Sequence, residues 1–488
     1  MITARPAAAP RPRTMAAAAP AQPGESRART AANLCSALVG AAVLQVAAAC
    51  KDGGLILTPV VILSMAALCC WTTVLIARCL DRAAELVPEG ARGGEAVDWP
   101  LIGAAVAGRP GRVAVGIIFF VDLVSSGVRA QVISGSCLEV VFPGVDERVL
   151  LAAAGGFTIA TLAVPTHYLS CLSSAGLLAA VAFAAALAVS GAFVEGEGEG
   201  SADGVRLADV GGVPEALAVV ATALLCHSMM CGVYGRMACK EHFATTSVCA
   251  FAAAAAFYLA VGAVGYWVYE DRVQANLLDN VGFDAKGARL PGMAWAQKLA
   301  AAMFAVKLQA SQPLRIEPLA LLIETSARAV RSIARDDTGD SKDSRGPNAA
   351  VCCAAKTGAG ECADEAVDSK DSRGPNAAVC CAAKTGVGEC AEKAVSGHWI
   401  CRAGLRVACA VITLAVAVLA KQQVMAVTAL TGSVSCLSMS VSFPTLCYFK
   451  LYYRSISVGT RVCLVAIGLS CLAAQVAGMR KGVSDFFK

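Results

Sequence analysis

Charged residues are scarce in this chain, and their scarcity excludes several classes of protein. Asp, Glu, Lys and Arg make up 16% of the 488 residues, whereas hydrophobic residues make up 57%. The net charge of +5 is scattered, so the sequence has no basic stripe of the kind that binds nucleic acid. It also lacks a catalytic triad pattern, a phosphate-binding loop and a dinucleotide-binding fingerprint. The sequence therefore predicts neither an enzyme nor a bound cofactor.

Long apolar stretches are the abundant feature. A helix needs roughly 20 mostly apolar residues to cross a bilayer. The stretches lie at residues 33–50, 54–77, 113–133, 148–164, 173–194, 214–233, 245–269, 296–323, 405–421, 424–449 and 461–479. They predict an all-α integral membrane protein with about eleven transmembrane helices, embedded in lipid.

These stretches divide the chain into four parts. Residues 1–32 are predicted to be a disordered cytoplasmic tail, with an organelle transit peptide as the alternative. Residues 33–323 would hold helices one to eight, 324–404 a cytoplasmic loop, and 405–480 helices nine to eleven. An acidic, Gly-rich linker is predicted at 195–212. With a cytoplasmic N-terminus, 27 Lys and Arg residues lie on the cytoplasmic side and 10 on the other. The positive-inside rule counts only charges near span ends, and without the long 324–406 segment the numbers are 15 against 10, a weaker bias of the same sign.

Cysteine is abundant, with 23 residues, yet the positions do not predict a disulfide framework. Many lie inside the apolar stretches, where small side chains favour close helix packing. Others lie in a 28-residue tandem repeat, 340–367 and 368–395, inside the predicted loop. The repeated thiols could bind metal or be acylated, but a duplicated disordered linker is the simpler interpretation, and no metal site is predicted.

Span one carries small residues where its helix could unwind, and span six carries His227 flanked by small residues. In lipid, a broken helix is tolerated only where it lines a cavity or is buried in protein. An unwound turn exposes N–H and C=O groups that can hold a carboxylate and a cation. The alternatives are close helix packing for span one and a satisfied core histidine for span six. The predicted substrate-binding residues are Gly40, Ala41, Ala42, Val43, Cys226, His227 and Ser228.

Span three carries a pair of opposite charges. A charge inside a bilayer is costly and by default indicates function. Asp122 and Arg129 are two helical turns apart on one face. Either they form a buried ion pair, or Asp122 carries a proton.

Span eight combines two prolines with two charges. Pro313 and Pro318 interrupt the helix beside Arg315 and Glu317. The charges either reach one cavity or extend to the membrane surface. We therefore assign proton coupling to Asp122, His227 and Glu317, and structural roles to Arg129, Pro313, Arg315 and Pro318.

The same places carry short motifs in a fixed order. The residues are Asn33, Gly40, Leu44, Lys51 and Gly54; the RCLD of 78–81; the WPLIG of 99–103; His227, Tyr234, Arg236 and Phe243; Pro318, Ala320 and Glu324; and Pro444 and Lys450. In this order and spacing the chain resembles the amino acid/auxin permease family, most closely its vacuolar and vesicular amino acid transporter branch.

The resemblance implies a five-plus-five inverted repeat with an eleventh helix. Broken helices one and six would cradle the amino and carboxylate groups of an amino acid. Transport would be driven by H⁺, or alternatively Na⁺, across a vacuolar or other endomembrane. The chain departs from the family pattern because Ala42 and Cys226 stand where the family has glycine. The added atoms would narrow or stiffen the site.

Three functions are open at this point. The leading one is a secondary active transporter of small neutral amino acids that works by alternating access. The second is a non-transporting amino acid sensor of the same fold, signalling through the 324–404 loop. A membrane thiol enzyme is the third, and it is disfavoured because no nucleophile–base arrangement accompanies the cysteines.

Overall fold

The computed structural model describes residues 24–87, 97–162, 168–195, 205–284, 287–337, 387–420 and 432–486. Within these ranges the chain is helical and contains no strand. Two isolated bridges, Glu25 with Met237 and Phe283 with Arg289, are the strand-like pairings in the described residues. The predicted all-α class is confirmed.

Thirteen α-helices lie in the described ranges. They are α1 Arg27–Leu38, α2 Val46–Leu86, α3 Trp99–Val141, α4 Glu147–Leu162, α5 Leu169–Glu195, α6 Val213–Leu224, α7 Met230–Arg236, α8 Phe243–Tyr269, α9 Ala294–Ala310, α10 Pro313–Asp337, α11 Val387–Ala420, α12 Phe443–Tyr452 and α13 Val458–Phe486. Short 3₁₀ segments at Ala41–Leu44 and His227–Met229, and π-helical segments at Gly432–Cys436 and Ser438–Ser442, lie between them.

Kinks and breaks relate these helices to the predicted spans. α2 is kinked at Gly54, so α1 and the start of α2 form span one while the rest of α2 forms span two. α3 is kinked at Ala107 and Gly108, and its longer second part is span three. α6 with α7 forms span six, and α9 with α10 forms span eight. Counted this way, the described residues contain the predicted eleven spans, eight of them within stretches apolar enough to be recognised by composition alone.

Gly54 is a position that requires glycine. Its φ of +84° lies in the left-handed region, and a Cβ there would come within 2.7 Å of the Leu207 carbonyl. The segment after residue 204 docks on this kink, because the Leu55 and Ile56 N–H groups donate to the Arg206 and Leu207 carbonyls. The described part of the 195–212 linker therefore packs against the bundle.

Helices approach most closely where small residues face each other. α8 packs on α2, and a Cβ on Gly265 would lie 2.8 Å from Ala47 Cβ. α9 packs between α3 and α5, with Phe304 fully buried. Together these contacts bring the middle of α8 and the end of α9 next to span one.

The outer surface of the bundle is apolar. Ile56, Val60 and Leu63 of α2 are more than half exposed, as are Val462 and Leu469 of α13. An exposed apolar surface of this extent suits lipid tails rather than water.

Two predicted boundaries differ from the structure. α1 begins at Arg27, inside the predicted tail, because Ser26 caps it by accepting the Arg29 N–H. α10 continues to Asp337 and α11 begins at Val387, so both extend into the predicted 324–404 loop. Hydropathy misses such turns because polar helical residues beyond the bilayer give no apolar signal. Residues 1–23 and 338–386, with the first repeat and most of the second, lie outside the described residues.

Candidate functional site

Span one is interrupted between α1 and the 3₁₀ turn that follows. α1 ends at Leu38, and both Val39 and Gly40 have extended backbone. The φ of Gly40 is −113°, which any residue adopts, and a Cβ there would meet only the Leu38 carbonyl at 3.9 Å. The interruption removes helical partners from the carbonyls of the last turn of α1.

Span six is interrupted in the same manner. α6 ends at Leu224, Leu225 and Cys226 have non-helical backbone, and a 3₁₀ turn starting at His227 leads into α7. Cys226, His227 and Ser228 are all buried. The prediction that spans one and six are broken is confirmed.

One tyrosine from α8 joins the two interruptions. The Tyr258 hydroxyl donates to the Leu38 carbonyl at 2.9 Å and accepts the Gly40 N–H at 3.1 Å. The Ala223 carbonyl, at the end of α6, lies 3.4 Å from the same oxygen. Tyr258 is fully buried. The structure therefore brings both sets of freed backbone groups to a single hydroxyl.

The predicted substrate residues of span one differ in their burial. Gly40 and Ala41 are half-buried, whereas Ala42 and Val43 are buried. The side of the break that remains accessible is thus its start, where Gly40 leaves open space.

His227 is held through one nitrogen only. Its Nε2 lies 2.9 Å from the Cys69 carbonyl and 2.9 Å from Thr72 Oγ1, both on α2. A carbonyl only accepts, so the hydrogen-bond network assigns the proton of the neutral ring to Nε2. Nδ1 is then an acceptor, and it is buried without a partner in the described residues. Trp99 donates its indole N–H to the His227 carbonyl at 3.3 Å and fixes this turn against α3.

Asp122 and Arg129 do not form the expected direct ion pair. Asp122 is buried, and its Oδ1 accepts from Ser435 Oγ at 3.3 Å and from Cys436 Sγ at 2.9 Å. Two helical turns separate the residues by about 10 Å along the axis. The π-helical segment of span ten therefore supplies the nearest partners of Asp122.

The two charges of span eight do not share a cavity. Arg315 is buried and donates to Ser126 Oγ at 2.8 Å and Ser311 Oγ at 2.8 Å. Glu317 instead pairs with Arg406 of α11 at 2.6 Å. Residues two apart on a helix point to different sides, which explains their separate partners. Glu317 therefore lies in an ion pair between α10 and α11.

The prolines of span eight have different roles. The helix is interrupted at Ser311 and Gln312, and Pro313 starts α10, where its missing N–H costs nothing. Pro318 lies inside α10. The predicted break is thus present, but it precedes the first proline.

Sequence reasoning missed two residues at the breaks. Tyr258 is one aromatic among many in an apolar stretch, and nothing in the sequence distinguishes it. Lys307 of α9 was detectable as a cation within a predicted span. It is fully buried, and its Nζ donates to the Ser36 carbonyl of α1 at 2.9 Å.

A second polar cluster lies outside the breaks, and we call it the amide ring. Gln131 Nε2 donates to Thr158 Oγ1 at 2.6 Å, and Thr158 donates to Gln309 Oε1 at 2.5 Å. Gln309 Nε2 closes the ring on Gln131 Oε1 at 3.2 Å. These residues join α3, α4 and α9.

Contacts also tie the two ends of the broken spans. Before α1, Glu25 pairs with Arg236 at the end of α7 at 3.1 Å and accepts from Asn33 at 2.8 Å. At the opposite end of span one, Lys51 donates to the Asp271 carbonyl at 2.5 Å.

Thiols and carboxylates form no obvious metal centre. The cysteines whose side chains are described are free. In that same part of the chain, no group of three His, Cys, Asp or Glu residues is arranged to hold a metal ion.

Comparison with known proteins identifies the family to which this architecture corresponds. The family model of the transmembrane amino acid transporter protein matches residues 24–485. Amino acid transporter AVT1E of Arabidopsis thaliana is 26% identical over 310 residues, which are 60% of this chain and 55% of the relative. Amino acid transporter AVT1I of the same plant is 24% identical over 265 residues, 52% of this chain and 62% of the relative. The chain thus spans little more than half the length of these curated relatives.

One solved structure supports the fold. It is that of Mhp1, a nucleobase-cation-symport-1 family transporter, in a closed conformation with bromovinylhydantoin bound. The match has a TM-score of 0.50 and 10% identity, and it covers 95% of this chain and 92% of that one. At this identity the likeness concerns the fold alone. The relatives are named as transporters and not as enzymes. With a family match along nearly the whole chain and broken first and sixth spans, the protein belongs to the transmembrane amino acid transporter family.

Proposed function

We propose that the protein carries small neutral amino acids across an endomembrane by alternating access, driven by protons. The observation that carries this proposal is the meeting of both helix interruptions at the Tyr258 hydroxyl. Backbone groups freed by two broken helices then face one site, where an amino acid can use them.

The chemistry of the freed groups matches an amino acid. The Leu38 and Ala223 carbonyls keep a second lone pair beside Tyr258, and such carbonyls accept from an ammonium. The N–H groups of the first turn after a break have no acceptor within their own helix, and such groups suit a carboxylate. Tyr258 fixes the geometry of the carbonyls, so the substrate meets a preformed arrangement.

The side chains around the breaks favour a small, neutral substrate. Val39, Ala41 and Leu225 are apolar, and Ala42 and Cys226 add atoms where the family pattern has glycine. The open space beside Gly40 is the place where a short side chain fits.

Proton coupling is supported by ionisable groups buried within the spans. Asp122 and His227 are buried near segments that are not regular α-helix, and His227 keeps one ring nitrogen without a partner in the described residues. Such groups can bind and release a proton as helices move.

Alternating access is supported by contacts at both ends of the broken spans. Glu25 with Arg236 ties one end, and Lys51 with the Asp271 carbonyl ties the other. Opening one end while the other stays tied would expose the site to one side at a time. The Lys and Arg distribution favours a cytoplasmic N-terminus, and the family resemblance favours a vacuolar or similar membrane.

Radiolabelled amino acid uptake into proteoliposomes tests the proposal. We expect counterflow of small neutral amino acids without a gradient, and accumulation when an inward pH gradient is imposed. Protein-free liposomes and an equal Na⁺ gradient are the controls. An Ala42→Gly variant tests whether the added methyl limits flux.

If no amino acid in a broad panel is taken up, although amino acids bind the protein saturably, transport is refuted. That outcome would support the alternative of a sensor with the same fold.

A further inference from the structure

Lys307 is a buried cation that neither the family motifs nor the proposed site uses. It lies in the last turn of α9 with no exposed surface, and its Nζ donates to the Ser36 carbonyl at 2.9 Å. Gly176 of α5 packs against the same turn, since a Cβ there would lie 3.6 Å from the Lys307 carbonyl. The ammonium is therefore enclosed between α1, α5 and α9.

The acceptor of this ammonium is a carbonyl freed by the break. In a continuous helix the Ser36 carbonyl would accept the Gly40 N–H. Here the Gly40 N–H donates to the Tyr258 hydroxyl instead. Lys307 thus replaces the missing helical donor, and α1 is held to α9 by this single charged group.

No carboxylate among the described residues compensates this charge. α5 has no charged residue between Cys171 and Phe193. On α3, Asp122 is engaged by span ten, and the charged group that acts on Lys307 is Arg315, which has the same sign. A buried charge without a partner of opposite sign is costly.

The other ionisable groups on neighbouring elements also do not pair with it. These are Cys35, Arg27 and Arg29 on α1, Arg109, Arg112, Arg129, Cys137 and Glu139 on α3, Glu147 and Arg148 at the start of α4, Cys171 on α5, and Asp279 in the 3₁₀ segment Leu277–Asp279. Lys307 forms no ion pair with any residue in the described ranges, and Glu317 of α10 is paired with Arg406.

We propose that Lys307, rather than Asp122 or His227, is the group that binds and releases the coupling proton, and that its charge determines whether α1 stays bound to α9. This deepens the proposed function and rests on it. A proton enters at the Nζ lone pair, and the resulting ammonium makes a charge-assisted hydrogen bond to the Ser36 carbonyl. When the proton leaves toward the other side of the membrane, the neutral amine makes a weaker hydrogen bond. The first half of span one is then free to move.

Two substitutions separate charge from proton exchange. Lys307→Met keeps the length of the side chain and removes the amine. Lys307→Arg keeps a donor to Ser36 but remains charged at all working pH values. Lys298→Met is the matched control, because Lys298 lies on the same helix and is exposed. Each variant is measured in proteoliposomes for counterflow without a gradient and for accumulation under an imposed pH gradient.

Lys307→Arg is expected to lose both counterflow and gradient-driven accumulation, because its permanent charge keeps span one held on α9. Lys307→Met is expected to retain counterflow and to lose gradient-driven accumulation. The ratio of accumulation with and without the gradient should fall to about one, because an uncoupled carrier only equilibrates its substrate. Lys298→Met should accumulate substrate as the wild type does. Substrate-dependent acidification of the lumen, followed with an enclosed pH dye, should disappear in the same two variants.

Several results would overturn the assignment. Accumulation that persists in Lys307→Met would show that another group carries the proton. Accumulation rescued by Lys307→Arg would show a purely structural hydrogen bond. Counterflow that persists in Lys307→Arg would show that the charge at this position does not hold span one on α9. Absence of counterflow in the wild type would refute transport itself. Failure of the proposed function can therefore be distinguished from failure of the Lys307 assignment.

Discussion

The two polar clusters inside this bundle differ in how completely their hydrogen bonds are satisfied. In the amide ring of Gln131, Thr158 and Gln309, each side chain donates to the next and the ring closes. Around the broken helices, Ser36 Oγ and His227 Nδ1 are buried with no partner in the described part of the chain. Buried polar atoms without partners are costly, so the clusters cannot serve the same purpose.

The difference indicates that the amide ring has a structural role and that the groups at the breaks take part in transport. The amide ring joins α3, α4 and α9, and closed hydrogen bonds within lipid favour a fixed arrangement. The groups at the breaks belong to α1 and α6 and keep capacity for a ligand or for another conformation. Lys307 lies on α9 two residues before Gln309 of the amide ring, and its side chain reaches Ser36 of α1. It therefore connects the amide ring to the broken span one.

The largest effect on transport is expected from Tyr258→Phe. The change removes the hydroxyl that pairs with Leu38 and Gly40, and leaving buried backbone groups unpaired costs about 1–3 kcal/mol. Counterflow should fall by about 10–100-fold. The measurement is initial-rate counterflow in proteoliposomes containing equal amounts of protein.

Tyr266→Phe is the matched control for that change. Tyr266 lies two turns further along α8, and its hydroxyl accepts the Arg206 N–H at 2.8 Å, away from the breaks. It should leave counterflow within about threefold of wild type. Equal losses in the two variants would mean that Tyr258 has no special relation to the site.

The amide ring is expected to control stability more than transport. Gln131→Leu and Gln309→Leu should each lower the free energy of unfolding by about 1–2 kcal/mol, because each leaves ring partners unsatisfied. The double variant should lose less than the sum, with a coupling of about 1 kcal/mol. Thermal unfolding of the purified protein in detergent is the measurement. Strictly additive losses would contradict a closed ring.

The smallest effect on stability is expected from Ser36→Ala. Thr158→Val is the matching change in the amide ring, so the two variants compare the clusters directly. Both remove one hydroxyl from a buried position. Ser36 Oγ has no partner in the described residues, so its loss should change stability by less than about 0.5 kcal/mol. Thr158 Oγ1 is part of the ring, and its loss should cost about 1–2 kcal/mol. A reversed order in thermal unfolding would remove the distinction between the clusters.

Predictions from the sequence succeeded where a local pattern was sufficient. Apolar length predicted the spans, small residues near Gly40 predicted the interruption of span one, and the family resemblance implied the interruption of span six. The expected pairing of Asp122 with Arg129 was wrong, because span ten, far away in sequence, supplies Ser435 and Cys436. The shared cavity for Arg315 and Glu317 was wrong for a similar reason, since Arg406 of α11 takes Glu317. Partners distant in sequence cannot be deduced from helical spacing alone.

By itself, the sequence determined that this chain crosses a membrane many times and that span one is interrupted. Those features depend on hydropathy and on residue size, which act locally along the chain. Only the tertiary structure decided that Tyr258 pairs with both interruptions and that Lys307 replaces a missing helical donor at Ser36. A backbone group freed by a break must find its partner on another helix, and helix packing alone selects which side chain reaches it.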